Sequence, residues 1–368
     1  GTCTAKLTSV GGGQLSHRNI IINGAMIVAQ RGSSGTTSGY ASVDRFETTY
    51  SGTDEAPTQS QHTLSSSDNP YAEGFRYSYH VTNGNQTSGA GASDYVRLRY
   101  KVEAQDMANS GWNYTSASSF ITLSFWVKAS VTQTYYVQMR TSDGTNKSYY
   151  FPMNLSANTW TKVTHSIPGH ADISFDNDTN EGIYIAWYPY RGTNNTGSGQ
   201  DANQWNNWDG STITPDQTTT WYTTNDATFE ITGVQLEVGN IATSFEHRSY
   251  SDELHRCHRY YQKLSGDALT YYGVGNVDGG TMNQILVHFI TEMRAAPGTM
   301  DTSGTAGDYT VRMNSNATCT SVPVLSNRTT KNAMVIFYAA GHGFTNGQAV
   351  FARAANNTNG FLGFSAEL

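Results

Sequence analysis

Charge is scarce in this chain. Asp, Glu, Lys and Arg make up 14 % of its 368 residues, yet mean hydropathy is −0.50, so polarity comes from Ser, Thr, Asn, Gln and Gly. A net charge of −7 argues against a general nucleic-acid binder, which needs a basic face for phosphates. Cysteine is scarcer still. Cys3, Cys257 and Cys319 lie far apart, are odd in number and show no CxxC or Cys/His finger spacing. A disulfide framework or a zinc site therefore has little support. Long apolar runs are missing too: the longest, 333–340, is far too short to span a bilayer, and no segment resembles a signal peptide. No membrane insertion is expected. The chain opens at Gly1 without Met, and 1–18 reads as a flexible Gly-rich connector from a longer chain.

What is abundant is glycine (36) and tyrosine (23), the composition of a β-rich protein with many turns and aromatic strand faces. From Asn19 to about Phe245, short runs alternate between apolar and polar. YVRLRYKVE (95–103) sets Val96, Leu98, Tyr100 and Val102 on one face against Arg97, Arg99 and Lys101; FITLSFWVK (120–128) does the same with Ile121, Leu123, Phe125 and Val127. Half-buried antiparallel strands of this kind predict a two-sheet sandwich. The span 191–220 is too polar and Gly-rich for a strand and reads as a long surface loop carrying Trp205 and Trp208. In TFEITGVQLEV, apolar positions are odd before Gly233 and even after it, the signature of a β-bulge. Beyond it, Gln235 and Glu237 should point away from the core face.

The period then changes. Tyr250, Leu254, Cys257, Tyr261 and Leu264 are spaced 4, 3, 4, 3, predicting an amphipathic helix over 248–265, with Ser251 as N-cap and Gly266 as stop. Strands resume from 267. QILVHFI and AMVIFYAA are apolar on both faces, which asks for a second covering layer, and partner subunits are the cheapest supplier. The expected organisation is all-β: a sandwich over 19–247, a helical linker over 248–265, and a second C-terminal sandwich over 266–368.

NIIINGAMIVAQRG with DRF (19–32, 44–46), and GVQLEVGNIATSFEHRSYSDELHRCHRYYQK (233–263), closely resemble a recurrent segment of bacteriophage tail-fibre and related virion proteins. The resemblance extends to EMRAAP (292–297) and GFSAEL (363–368). The middle, from SFITLSFWVKAS through LSANTWTKVTHSIPG to FEITGVQLEVG, is similar to the jelly-roll modules of carbohydrate-binding proteins. The resemblance implies a homotrimeric fibre or tip protein in the virion, acting outside the cell. It would touch the host surface with a distal C-terminal domain and join other tail proteins through the N-terminal part. Where such jelly rolls often carry an acidic pair near a structural calcium, this chain has Thr232-Gly233.

No catalytic motif stands out: GxSxG, HExxH and a P-loop are missing, and GVGNVDG (273–279) breaks the dinucleotide pattern at Asp278. Acids such as Asp54, Glu55, Asp172, Asp176 and Asp178 sit in polar turns. His255 and His258 share a helix face, but no third ligand stands at an obvious spacing. No catalytic residue, metal or cofactor is therefore expected. Sugar binding has better support, because pyranose faces stack on aromatics while their hydroxyls need amide and hydroxyl partners. Alternation places Tyr184, Tyr188 and Tyr190 opposite the Ile183, Ile185, Trp187 face and next to Arg191, followed by the loop tryptophans. Trp205 and Trp208 are either glycan contacts or plugs for the sandwich end. Arg97, Arg99 and Lys101 either meet anionic lipopolysaccharide or form a solvated face paired with neighbouring acids. The resulting expectation is a structural and adhesive, non-enzymatic tail-fibre component that binds host polysaccharide or lipopolysaccharide as a trimer. A polysaccharide-degrading tailspike or its accessory module, and a purely architectural spacer or head decoration, stand as alternatives.

Overall fold

The computed structural model describes residues 17–265, 267–339 and 343–368. Most of the expected 1–18 connector, with Cys3, lies outside them. The chain divides into two units, one ending at Glu253 and also holding Leu368, the other Leu254–Glu367, and each is described by itself.

The first unit is a jelly-roll β-sandwich of two six-stranded sheets. One sheet has the order Ser34–Gly35, Thr58–Thr63, Tyr77–Thr82, Thr228–Val238, Phe120–Ala129, Thr161–Pro168. The other runs Trp205–Asn207, Lys147–Leu155, Gln133–Thr141, Glu181–Arg191, Tyr95–Glu103, Phe46–Ser51. All the ladders between these strands are antiparallel. The chain crosses repeatedly from sheet to sheet, so each strand must bury one face against the other layer. Val96, Leu98, Tyr100 and Val102 do so from one sheet, and Ile121, Leu123, Phe125 and Val127 from the other. The Phe125 and Trp187 rings meet edge-on at 5.6 Å. Each such side chain contributes about 1.5–3 kcal/mol by leaving water.

The bulge at Gly233 is present. The register between Thr228–Val238 and Phe120–Ala129 shifts between Thr232 and Gln235, and Gly233 has φ +63°. Gln235 and Glu237 leave the core face as expected, yet both are fully buried rather than outward. The 243–246 segment folds over them. Gln235 Nε2 donates to Glu237 Oε1 (2.8 Å), the Glu246 amide to Gln235 Oε1 (2.8 Å), and the Thr243 amide and hydroxyl to Glu237. Burying these polar groups is tolerable because each finds a partner.

The helix differs from its prediction. It covers only Tyr250–His258, nine residues, and the chain then enters the strand Tyr261–Ser265. Tyr261 and Leu264 are thus strand residues, Tyr250 is 58 % exposed, Leu254 is half-buried, and the buried positions are Glu253, Cys257 and His258. Glu253 takes an apolar-looking place because it pairs with Arg248 (2.9 Å) and accepts the Asn23 amide. The second unit is a sandwich of three strands (order Tyr261–Ser265, Phe361–Ser365, Thr299–Thr302) and seven. The seven run Asn316–Thr318, Tyr309–Arg312, Ala349–Ala354, Tyr271–Asp278, Met282–His288, Asn332–Tyr338, Val324–Arg328. Leu362 and Phe364 from the small sheet share one core with Ile285, Val287, Val335 and Phe337 from the large. No helix among the described residues is long and apolar enough to cross a membrane.

Candidate functional site

Strand Glu181–Arg191 carries the aromatic ladder that sequence singled out, and most of it is unavailable to a ligand. Tyr184 and Tyr188 point away from the main core, but Ile213 from the following loop packs on them and on Ala186, and both are buried. Their hydroxyls converge on Gln138 Oε1, at 3.3 and 2.6 Å. Alternation tells which face a residue takes, not whether that face is covered. Tyr190 faces the other way: a register shift between Trp187 and Tyr190 turns it into the core, where its ring lies 4.6 Å from that of Tyr222. Arg191 is also buried, its guanidinium between the rings of Tyr95 (5.6 Å) and Tyr188 (5.2 Å). These four candidates build the sheet and do not present a surface.

The two tryptophans separate. Trp205 belongs to a short edge strand, Trp205–Asn207, paired with Lys147–Leu155, so the loop is not entirely irregular. Its indole packs on the sandwich core, 5.4 Å from Tyr149, and Nε1 donates to Pro168 O at 2.6 Å. Trp205 is the plug. Trp208 is 36 % exposed, with the Arg140 guanidinium 4.0 Å from its ring centroid.

Around Trp208 lies an open recess of about 630 Å³, lined by Gln200, Asn206, Asn207, Asp209 and Thr212 as well as Gly199 and Gly210. The wall is held from below and from within. Lys147 Nζ donates to Asn207 Oδ1 (2.8 Å) and pairs with Asp172 (2.6 Å). Gln200 Nε2 donates to Asn207 O at 3.1 Å, whereas Gln200 Oε1 is buried with no hydrogen-bond partner. Asp209 accepts from the amide and hydroxyl of Ser211, which hold its carboxyl below the ordinary carboxylate range. One exposed indole, several amides, a hydroxyl and a carboxylate therefore share one concave surface. That set can stack on an apolar ring face and bond to its hydroxyls.

No protein-family model and no curated protein sequence matches the chain. Among solved structures, it is similar to the enzymatically active domain of tailspike protein 4 of bacteriophage CBA120, at 10 % identity and a TM-score of 0.32. That alignment covers 60 % of this chain, which spans about a fifth (21 %) of the tailspike structure's length. It is similar to the N-terminal cellulose-binding domain of Cellulomonas fimi β-1,4-glucanase C, at 10 % identity and TM-score 0.29, over 59 % of this chain and 99 % of that one. The CBM22-1 xylan-binding domain of Paenibacillus barcinonensis Xyn10C aligns at 9 % identity and TM-score 0.27, over 57 % and 94 %. Similarities so low leave the chemistry to this chain's own side chains.

The basic stripe is paired. Arg99 bonds Glu47, Lys101 lies 3.5 Å from Glu47 and 3.8 Å from Glu181, and Arg97 donates to Thr49 Oγ1 (3.1 Å). The turn acids are occupied likewise: Asp54 accepts from Ser88, whose amide and hydroxyl hold its carboxyl down. Asp143 accepts the Asp176 amide at 3.2 Å, yet burial and the charges of Asp176, Asp178 and Glu181 push its carboxyl up. His255 is exposed and His258 buried, its ring pushed down by that burial and by His255. They gain no third ligand among the described residues. Two assemblies escaped the sequence reading. One is a recess of about 680 Å³ around Tyr271, Val274, Arg312 and Phe351. The other is a cluster of His62, His80 and Glu230, brought together by strand pairings that no spacing in the chain reveals.

Proposed function

We propose that this protein is an adhesive component of a phage tail fibre, acting as a homotrimer. Its first sandwich would bind host cell-surface glycan at the Trp208 recess. The observation that carries the glycan reading is the exposed Trp208 indole in a recess lined by Gln200, Asn206, Asn207, Asp209 and Thr212: one surface for a sugar face, with polar side chains around it for the hydroxyls. The fibre reading rests on the resemblance of 19–32, 44–46 and 233–263 to tail-fibre segments. The protein acts by binding and not by cleavage, so host polysaccharide incubated with it keeps its chain length. Single sites of this open kind are weak, and three on one fibre raise avidity without new contacts.

Binding of labelled full-length protein to host cells and to purified host polysaccharide tests the site. Trp208→Ala should weaken binding per site about tenfold, the equivalent of about 1.4 kcal/mol, with an unchanged melting temperature. Trp205→Ala should instead lower the melting temperature, because it unplugs the sandwich. Full binding by folded Trp208→Ala protein would remove the recess from consideration.

A further inference from the structure

The outer face of the sheet that carries the bulged strand gathers a second, independent constellation. Register sets Glu230 opposite His80 on one neighbour and opposite Lys128 on the other, while His62 stands opposite Ser78 one strand further out. Residues opposite one another share a sheet face, so one carboxylate lies among two imidazoles and an ammonium. His62 Nδ1 is 3.3 Å from Glu230 Oε2, and His80 Nδ1 is 3.3 Å from Oε1. One ligand atom from each of the three residues falls within 4.8 Å of the others, the only such set among the described residues. A metal with four ligands at about 2.0 Å has ligand–ligand edges of about 3.3 Å. Both imidazole–carboxylate separations have that length, each to a different oxygen of the carboxylate, so a small turn of the carboxylate brings one oxygen toward both rings.

The hydrogen bonding allows the same reading. His80 Nε2 lies 3.0 Å from Thr82 Oγ1, while Nδ1 is buried and makes no aligned hydrogen bond despite the nearby carboxylate. Thr82 can donate to Nε2, which puts a proton on Nδ1 facing Glu230, or accept from it, which leaves the Nδ1 lone pair facing carboxylate oxygen. In the second arrangement, two lone pairs at that distance repel unless positive charge stands between them. Lys128 Nζ, 2.9 Å from Oε1, supplies some of that charge from one side. It also has somewhere else to go, with Asp68 Oδ1 at 3.9 Å and the Trp160 ring at 4.8 Å. Ser78 Oγ donates to Oε2 at 2.8 Å and fixes the carboxylate as an outer-shell partner would.

We propose that His62, His80 and Glu230 bind a zinc-type divalent cation, with solvent in the fourth position on the side of half-exposed His62. Two imidazoles and one carboxylate suit zinc, cobalt or nickel, whereas calcium and magnesium take oxygen ligands. The ion clamps Thr58–Thr63, Tyr77–Thr82 and Thr228–Val238 together, and protons compete with it as the imidazoles charge.

The test is calorimetric titration of chelator-treated full-length protein with zinc chloride at neutral pH, with cobalt absorption reporting tetrahedral geometry. One-to-one uptake, a tetrahedral cobalt spectrum and a raised melting temperature are expected. His62→Ala, at a position 50 % exposed and so folding normally, should lose all three. Lys128→Met should bind zinc more tightly, since the metal no longer competes for the carboxylate. Absent uptake, uptake that survives in His62→Ala, or a Lys128→Met variant that binds no more tightly would each overturn the site.

Discussion

At the scale of single residues, Glu230 shows how a buried charge is kept. Its side chain is 3 % exposed, and burial alone would favour the neutral acid. In the metal-free protein the hydrogen bond and charge that the His80 ring offers through Nδ1, with the Lys128 ammonium, outweigh that and hold its carboxyl well below the usual carboxylate range. A carboxyl with a depressed folded-state pKa contributes stability that is complete above its unfolded value of about 4.3 and is lost as pH falls toward the folded value. Glu230→Gln should therefore lower stability by about 2 kcal/mol at pH 7. Urea unfolding should show the two proteins converging only well below pH 4, and a gap that stays constant into strong acid would contradict this account. Residue-level legibility was uneven. Strand faces followed from alternation, whereas two indoles in one polar loop left open which of them is exposed: Trp208 is, and Trp205 packs on the core. The burial of Tyr184 and Tyr188 did not, because Ile213, which covers them, lies more than twenty residues later within a span that reads as solvent-exposed loop.

At the scale of elements, the bulge was written in the chain because it reverses a period of two, and a reversal leaves a mark wherever both faces are distinguishable. The helix end was not. The spacing from Tyr250 to Leu264 fits a helical stripe, yet the Tyr260-Tyr261 pair favours a strand, and pairing of Tyr261–Ser265 with Phe361–Ser365 completes a sheet that a longer helix would forfeit. Tertiary pairing decided the matter, and its partner lies about a hundred residues away. Gly233 carries the bulge by conformation and by space: at φ +63° a side chain is strained, and a Cβ would come within 2.6 Å of Phe75 Cζ. Gly233→Ala should cost at least about 2 kcal/mol, read as a lower urea midpoint with an unchanged slope. Gly24 faces the same turn, where a Cβ would strike Val234 O. Wild-type stability in Gly233→Ala would show that the bulge relaxes freely.

At the scale of the whole molecule, the proposed trimer needs a surface to form on, and the outer face of the seven-stranded sheet carries an apolar one. Phe351 lies opposite Val274, Val274 opposite Leu286, Leu286 opposite Met334, and Ile336 opposite Val324. Phe351, Val274 and Val324 are about half exposed, at 47, 50 and 48 %. This row lies behind the buried Ile285, Val287, Val335 and Phe337, so the strands Met282–His288 and Asn332–Tyr338 carry apolar side chains on both faces, and the unit's own core uses only one of them. Contiguous apolar surface of this kind marks an interaction face, and a symmetric assembly covers it with copies of the same chain. Light scattering at micromolar concentration should give three times the chain mass of 40.1 kDa. Val274→Asp and Phe351→Asp, which place charge on that face without touching the core, should reduce it to one chain mass with circular dichroism unchanged. Each monomeric variant keeps an intact Trp208 recess, so it should bind isolated polysaccharide like a single wild-type site but lose retention on host cells, where three sites act together. A wild-type chain that scatters as a monomer would overturn the trimer, and with it the expectation that single-site affinity and cell retention separate.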